Sequence, residues 1–293
     1  MNRLLIVDGH AYAYRAFHAI RSLRSPTGRP TNAIYGFLKM LEKMRLGLGP
    51  THLMVVWDGG LSAERMAVLP GYKAQRPEMP DDLRVQFDEI GKYLAAAGLP
   101  EFCGDGVEAD DYIGCLARRA ADAGWNVVIA SPDKDFMQLV TERIGLLNPN
   151  DKTGTIWGRE QVSAKSGVEP GQVVDWLALM GDAVDNIPGV PGVGTKTAAG
   201  LLQEFGSVAG LFGRLEAVKS EKLRAALLAS AAAVRRNQEL VRLHEVPCEF
   251  QPEKLVVRPA DREKLRGLYR DWGFKGLLAE LDGQFQERQA ELI

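Results

Sequence analysis

Acidic residues stand at the ends of three apolar stretches in this 293-residue chain. Asp8 ends "RLLIVD", Asp58 ends "LMVVWD" and Asp133 ends "NVVIASPD". We interpret these stretches as buried β-strands, over residues 3–8, 53–58 and 126–133. Because ligands of open α/β sheets bind beyond the carboxyl ends of the strands, the three acids are candidates for a common site.

Six more acids lie at other junctions, in "GVEADD", "SPDKD" and "MGDAVD". They are Glu108, Asp110, Asp111, Asp135, Asp182 and Asp185. Glu108 and Asp111 are three residues apart at a predicted helix start, so their side chains share one face. Asp182 and Asp185 repeat this spacing at the end of a predicted helix. A single Asp after a strand is often only a helix N-cap, so a structural role for one such as Asp133 stays open.

Nine carboxylates that converge would repel one another strongly unless cations neutralise them. Oxygen ligands suit Mg²⁺ or Mn²⁺, and zinc fits such a set much less well. The chain has only four His, with no HExxH motif and no Cys/His cluster. The sequence therefore predicts a divalent metal centre built from carboxylates, and it offers no paired base for a Ser or Cys nucleophile.

A glycine-rich turn follows the last pair of acids. Residues 188–194, "PGVPGVG", precede a predicted helix that begins with "TKTAAGLL". Glycine lets a ligand approach the backbone, and a helix start offers N–H groups at its positive end. With a helix on each side this is a helix–hairpin–helix pattern, which holds a nucleic-acid backbone without reading bases. The predicted contacts are Gly189, Val190, Gly192, Gly194, Thr195 and Lys196. A plain joint between two helices of a bundle is the alternative, and the missing GxxxxGK[ST] motif excludes a P-loop.

A long basic connection over residues 59–81 resembles neither a strand nor a long helix. It carries Arg65, Tyr72, Lys73 and Arg76. Neighbouring aromatic and basic side chains suit stacking on an unpaired base and pairing with phosphate. A solvated surface loop is the structural alternative.

The composition, with 46% hydrophobic and 25% charged residues, is typical of a globular protein. No apolar run has the length of a membrane span, and "MNRLLIVDGH" predicts a first strand and not a signal peptide. Three cysteines at unrelated spacings indicate a reducing cytoplasm. The net charge of −2 argues mildly against a nucleic-acid binder, but without the nine candidate ligands the rest of the chain carries +7.

The order of elements predicts an α/β fold up to about residue 160, with a mainly parallel central sheet flanked by helices. The helices predicted from apolar spacing span residues 33–46, 82–97 and 109–123. Beyond residue 160 the pattern is helical, with Gly and Pro at the joints.

Taken together, the motifs resemble the 5′ nucleases, the bacterial 5′–3′ exonuclease and flap endonuclease group that includes the N-terminal domain of DNA polymerase I. The match runs through "LLIVDGHAYAYRAFHA", "PTNAIYGFLKML", "YKAQRP", "GVEADD", "DKDFMQLV" and "LALMGDAVDNIPGVPGVGTKTAAGLL". It covers most of residues 3–205. The resemblance implies a PIN-like catalytic core over residues 1–160, with an arch-like loop at about 59–81. It also implies a helical region over residues 161–293, with the helix–hairpin–helix at about 173–205 and its first helix completing the metal site.

The resemblance also implies roles for single residues. All nine acids match the family's metal ligands, for two Mg²⁺ or Mn²⁺ ions about 4 Å apart. One ion would be held mainly by Asp8, Asp58, Glu108, Asp110 and Asp111, and the other by Asp133, Asp135, Asp182 and Asp185, partly through water. Lys73 and Arg76 match the catalytic residues that draw in the phosphate. A K⁺ ion in the hairpin would be held by backbone carbonyls, for which Val190 and Val193 are the candidates.

The resulting hypothesis is a metal-dependent, structure-selective 5′ nuclease that hydrolyses DNA at a 5′ flap or 5′ end in replication or repair. It would act as a monomer in the cytoplasm, at the nucleoid, with a DNA polymerase as a candidate partner and no contact with membrane. A non-catalytic binder of branched DNA is the first alternative. A phosphatase with an Asp nucleophile is the second, although "VDGH" lacks the second Asp of a DxD pair.

Overall fold

The computed structural model describes residues 2–290. The strands are β1 (Arg3–Asp8), β2 (His52–Trp57), β3 (Glu101–Cys103), β4 (Asn126–Ala130), β5 (Ile144–Leu147), β6 (Ile156–Trp157), β7 (Gly181–Asp182) and β8 (Ile187–Pro188). The α-helices are α1 (Gly9–Ala19), α2 (Asn32–Leu48), α3 (Ala63–Val68), α4 (Asp81–Ala96), α5 (Ala109–Asp122), α6 (Arg159–Ser166), α7 (Val173–Met180), α8 (Thr195–Phe205), α9 (Val208–Gly213), α10 (Glu221–Ala229), α11 (Ala231–Val241), α12 (Arg262–Trp272) and α13 (Lys275–Ala290). Short 3₁₀ helices span Lys134–Leu139, Pro170–Gln172, Leu215–Ala217 and Pro252–Lys254.

The chain divides into two compact units, each assembled from separate segments. The first comprises Met1–Trp57, Glu78–Phe102 and Gln251–Ile293, and the second comprises Asp58–Pro77 and Cys103–Phe250. The predicted division near residue 160 is a different partition of the chain, and it stays a prediction. Within residues 2–290, no helix combines the length and the hydrophobicity that crossing a membrane requires.

In the first unit the strand order is β3-β2-β1, and β1 runs parallel to β2 with Leu5 opposite Leu53. The central residues of both strands are buried, as expected for a parallel sheet covered on both faces. Helix α2 has no capping side chain of its own. Gln86 of α4 supplies the cap, because its Oε1 accepts from the backbone N–H groups of Ala33 and Ile34.

In the second unit the strand order is β4-β5-β6, with β4 parallel to β5 and β6 antiparallel to β5. The prediction of a mainly parallel sheet flanked by helices is confirmed. The strand predicted over residues 126–133 is too long, because β4 ends at Ala130. Asp133 instead caps the following 3₁₀ helix, where its Oδ1 accepts from the backbone N–H of Asp135 at 2.9 Å.

Asp182 and Asp185 do not lie on a helix, so their predicted helical spacing is wrong. Gly181 ends α7 with φ 74° and ψ 178°, and the chain turns into the β7–β8 hairpin, which pairs Asp182 with Ile187. Buried Asn237 of α11 fixes this turn to the helix before it. Its Nδ2 donates to the carbonyls of Ala178, at 3.1 Å, and Pro188, at 2.8 Å. The acids therefore come from the hairpin and not from the first helix of the predicted helix–hairpin–helix.

Replacement of Gly181 by Ala tests how the hairpin is positioned. A Cβ at this residue would lie 2.3 Å from the backbone nitrogen of Gly189, in a backbone conformation that other residues rarely adopt. We expect Gly181→Ala to lower the free energy of unfolding by about 2–4 kcal/mol, measured by urea denaturation. Gly171→Ala is the control, because no atom lies within 4 Å of the added Cβ. Equal stability of the two variants would contradict this account.

Candidate metal centre

Three carboxylates of the second unit form a compact cluster. The side chains of Asp135, Asp182 and Asp185 each place one oxygen so that all three oxygens lie within 4.8 Å of one another. In the part of the chain that the structure describes, the buried Oδ1 of Asp135 has no hydrogen-bond partner. An all-oxygen donor set of this size, with one buried oxygen left unbonded, fits a hard divalent cation.

The electrostatics of the cluster favour the approach of a cation. Burial raises the pKa of Asp135 well above its ordinary value, and repulsion from Asp133, Asp110, Asp182 and Asp185 adds to this effect. Burial also raises the pKa of Asp133. Both pKa shifts mean that the charged form of these carboxylates is unfavourable in the folded protein. A bound cation would therefore stabilise the folded state.

Glu108 lies near the cluster, and its two oxygens accept hydrogen bonds from three groups of the chain. Its Oε2 accepts from Lys73 Nζ at 2.5 Å and from the hydroxyl of Tyr72 at 3.2 Å. Its Oε1 accepts from the backbone N–H of Ser62 at 2.9 Å. Burial alone would raise the pKa of Glu108, but the attraction of Lys73 and the hydrogen bonds from Lys73 and Ser62 outweigh it and lower the pKa. Glu108 is therefore held ionised in a fixed position.

Asp111 is bound by a different cation. Arg65 donates to both of its oxygens, at 2.7 and 2.8 Å, and the backbone N–H of His244 donates to Oδ1 at 2.8 Å. Arg65 Nε also donates to the carbonyl of Leu240 at 3.0 Å, and Nη1 lies 3.3 Å from Oε2 of Glu108. Glu108 and Asp111 thus face the same way, as their spacing predicts, but what they share is a buried guanidinium.

The end of the basic connection docks against the β7–β8 hairpin. Arg76 Nη2 donates to Oδ1 of Asp185 at 2.7 Å, and the backbone N–H of Lys73 donates to the carbonyl of Asp185 at 3.0 Å. Asn186 Nδ2 donates to the carbonyl of Gly71 at 2.7 Å. Among residues 2–290, Lys73 and Asn186 are the non-glycine residues with positive φ, at 55° and 57°. Such strain persists only where neighbouring contacts fix the backbone, and it is common at functional sites.

The connection is not a solvated surface loop. Arg65 and Tyr72 are each 3% exposed, and Lys73 is 5% exposed. The charged groups of Arg65 and Lys73 pair with carboxylates of the site, and the hydroxyl of Tyr72 donates to one of them. Without these partners the buried carboxylates would be unpaired, which is energetically costly. Stacking of Tyr72 on a base and contact of Arg65 with DNA stay predictions, and both would require these side chains to leave their present partners.

Two of the remaining acids, Asp58 and Asp8, lie at the ends of strands. Asp58 follows β2 directly, and the next residue, Gly59, is paired through its backbone with Val107 and Gly106. Asp8 belongs to the first unit, where it is buried and caps α1 by accepting from the backbone N–H of Ala11 at 3.0 Å. Eight of the nine predicted ligands therefore belong to the second unit. Their roles as metal ligands stay predictions.

The glycine-rich turn is compact on one side and exposed on the other. A Cβ on Gly189 would lie 2.2 Å from the carbonyl carbon of Met180, so internal packing alone explains this glycine. The backbone N–H of Val193 donates to the carbonyl of Val190 at 3.0 Å, and Gly192 has φ +81°. Beyond the turn, Gly194 is the N-cap of α8, and Thr195 and Lys196 are exposed in its first turn. This exposed end matches the predicted contact surface, whose binding role stays a prediction.

Two functional residues were missed by the sequence reasoning. Lys134 Nζ contacts Oδ2 of Asp182 at 3.0 Å, and its position between two predicted ligands in "SPDKD" was an available signal. Asn237, which ties the hairpin to α7, gave no signal, because a lone Asn on a helix has no motif around it.

Comparison with known proteins agrees with this site. Residues 3–167 match the family model "5′-3′ exonuclease, N-terminal resolvase-like domain", and residues 168–263 match "5′-3′ exonuclease, C-terminal SAM fold". A 5′-3′ exonuclease of Aquifex aeolicus is 40% identical over 98% of each chain. DNA polymerase I of Pseudomonas aeruginosa is 43% identical over 95% of this chain, which spans 31% of that protein. A solved structure of T5 5′-exonuclease with bound divalent metal ions (zinc) is 28% identical, with a TM-score of 0.69, over 83% of this chain and 90% of that one.

The fold and these similarities define a nuclease, and its second unit carries a cluster of carboxylates. The chain belongs to the 5′-3′ exonuclease family. The predicted family, fold class and nuclease activity are thereby confirmed.

Replacement of Asp135 by Asn tests the electrostatic account of the cluster. A carboxyl whose pKa is raised by folding opposes folding above that pKa, and it ceases to do so below the ordinary Asp pKa of about 3.9. In EDTA at pH 7.5 we expect Asp135→Asn to unfold at a higher urea concentration than the wild type. The difference between the two urea midpoints should become smaller as the pH falls towards 4. The Mn²⁺ affinity of Asp135→Asn should fall at least about tenfold, measured by calorimetry. Exposed Asp122→Asn should change neither quantity, and a less stable Asp135→Asn protein would contradict the account.

Proposed function

We propose that this chain is a divalent-metal-dependent, structure-selective 5′ nuclease that cleaves DNA at a 5′ flap or 5′ end. The observation that carries the proposal is the cluster of Asp135, Asp182 and Asp185 beside the buried Lys73–Glu108 pair and the Arg76–Asp185 pair. Carboxylates that collect divalent cations, with basic side chains at their edge, suit the binding of a phosphodiester.

The proposed metal ions are two Mg²⁺ or Mn²⁺. The cluster of three carboxylates, together with Asp133, would hold one ion. The other would be held by the acids at the remaining junctions, Asp8, Asp58, Glu108 and Asp110. Asp111 is the fifth acid proposed for this ion, and Arg65, which donates to both of its oxygens, would hold it in position. When bound, two such ions would activate a water molecule and neutralise charge on the leaving oxygen.

Lys73 and Arg76 are proposed to bind the scissile phosphate. Burial disfavours the charged form of Lys73, but attraction by Asp110, Glu108 and Asp185 outweighs burial and raises its pKa, so the ammonium stays protonated at neutral pH. Divalent cations at the carboxylates would weaken the hold of those acids on both basic side chains. The two cations would then turn towards the phosphate and stabilise the negative charge of the transition state.

The glycine-rich turn and the start of α8 are proposed to hold the duplex away from the cut. Exposed Lys196 would pair with a backbone phosphate, which the N–H groups of the first turn of α8 would also bind. A K⁺ ion at the carbonyls of Val190 and Val193 would add positive charge there. The terminal nucleotides must unpair to reach the metal centre, at a cost of a few kcal/mol.

The setting of this activity follows from the proposed substrate. DNA as substrate would place the protein at the nucleoid in the cytoplasm, acting as a monomer in replication or repair. Similarity to one part of DNA polymerase I supports a polymerase as a partner that makes or uses the flapped DNA.

Incubation of the purified protein with a labelled 5′-flap duplex, in Mg²⁺ and in EDTA, tests the proposal. We expect metal-dependent release of 5′-phosphorylated products. Asp133→Ala should lower the rate at least about 100-fold while flap binding persists, and exposed Asp122→Ala should cleave normally. Binding of the flap without any metal-dependent product would favour a non-catalytic binder of branched DNA. Release of phosphate from small phosphomonoesters would favour a phosphatase.

The proposed grip on the duplex predicts a salt effect. Loss of one phosphate contact should reduce the slope of log Kd against log salt concentration by about 0.9. We therefore expect Lys196→Ala to bind the flap duplex more weakly and with a shallower salt dependence, measured by fluorescence anisotropy in EDTA. Exposed Lys254→Ala is the control, and an unchanged slope in Lys196→Ala would remove this residue from the proposed interface.

A further inference from the structure

Lys134 occupies the solvent side of the carboxylate cluster. It is the first residue of the 3₁₀ helix, between Asp133 and Asp135, and its Nζ lies 3.0 Å from Oδ2 of Asp182. The side chain of Lys134 is 34% exposed and that of Asp182 is 9% exposed. A flexible ammonium thus reaches in from solvent to a carboxylate that is almost buried.

Both oxygens of Asp182 are used within the chain. Oδ1 accepts from the backbone N–H of Val184 at 3.0 Å, and Oδ2 forms an ion pair with Lys134. An ion shared by Asp182, Asp135 and Asp185 needs an oxygen from each of them. At Oδ2 such an ion meets the positive ammonium of Lys134, which repels it, and at Oδ1 it meets an oxygen that the turn of the β7–β8 hairpin holds. Displacing a partly exposed side chain disturbs less structure than breaking a backbone turn.

The other basic partners of the acids belong to a segment that further hydrogen bonds tie to the site. Lys73 has a side chain that is 2% exposed, and the carboxylate it binds also accepts from Tyr72 and Ser62. Arg76 is 40% exposed, but its segment is tied to the hairpin by the backbone of Lys73 and by Asn186. Lys134 would give up its ion pair with Asp182 and part of its attraction to Asp133. A divalent cation carries twice the charge of the Lys134 ammonium, and it can bind the three carboxylates of the cluster at once.

We propose that Lys134 is an internal counter-ion of the metal centre, which holds Asp182 in place and competes with a divalent cation for its carboxylate. Lys134 thereby sets the metal concentration at which the cluster fills. It is a positioning residue and not a ligand. The inference rests on the proposed metal-dependent function, but its main readout is metal binding and not cleavage.

The test compares Lys134→Met, which keeps the length of the side chain and removes the charge, with Lys134→Arg, which keeps the charge. Mn²⁺ binding to the purified, EDTA-treated and dialysed proteins is measured by calorimetry and by the EPR signal of free Mn²⁺. We expect Lys134→Met to bind Mn²⁺ about three- to tenfold more tightly than the wild type, and Lys134→Arg to remain within about twofold. In EDTA, Lys134→Met should melt at a lower temperature, because the carboxylates lose their counter-ion. Lys165→Met, on the exposed side of α6, is the matched control.

The outcomes separate the inference from the proposed function. Unchanged or weaker Mn²⁺ binding in Lys134→Met overturns the inference, as does a wild type that binds no Mn²⁺. Tighter binding in Lys134→Met supports the inference even if no flap is cleaved. Failure to cleave the flap would count against the proposed nuclease function and not against the inference. If flaps are cleaved, the Mg²⁺ concentration for half-maximal rate should fall by the same factor. Lys134→Gln replaces Lys134→Met if the latter does not fold.

Discussion

Repulsion among closely spaced carboxylates is the constraint on which the rest of this structure depends. Asp135, Asp182 and Asp185 bring oxygens within 4.8 Å of one another, and burial raises the cost of their charge. A fold that assembles such a cluster must supply positive charge close by. It does so from two parts of the chain, the basic connection and the 3₁₀ helix, and in the proposed function the metal ions add to them.

The basic connection stabilises the fold as well as supplying positive charge to the site. Arg65 ties α3 to Asp111 and to the chain at Leu240, so the start of the connection is fixed by a buried, two-bond ion pair. Lys73 does the same for Glu108 near the other end. A buried charge without its partner is strongly destabilising, so these pairs hold the acids in place before any ligand binds. The same pairing explains why Arg65 and Lys73 are buried in a segment of the chain that lacks regular secondary structure over much of its length.

The β7–β8 hairpin connects the proposed site of cleavage to the proposed site of duplex binding. Gly181 ends α7 so that Asp182 and Asp185 enter the cluster, and the chain then continues through the glycine-rich turn into α8. Asn237 binds the end of α7 and the end of the hairpin together. Because few residues separate the acids from the exposed start of α8, the distance between the metal centre and the held phosphate would be fixed by local structure. A short, rigid spacer of this kind is how a protein without base contacts would select a DNA shape.

Sequence by itself determined three of the strands, the parallel α/β arrangement and the glycine-rich turn, and it singled out nine acids as candidate ligands. Continuous apolar runs, strand ends and glycine are local signals, and residues 3–8 were predicted as a strand with the bounds of β1. Only the tertiary structure decided which acids share one cluster and which are bound by cations of the chain. Arg65 meets Asp111 across 46 residues, and Arg76 meets Asp185 across 109. No local pattern encodes such pairings, because they depend on how separate segments pack. For the same reason the helical spacing of Asp182 and Asp185 was misleading, since a glycine conformation and a hairpin, and not a helix, bring them together.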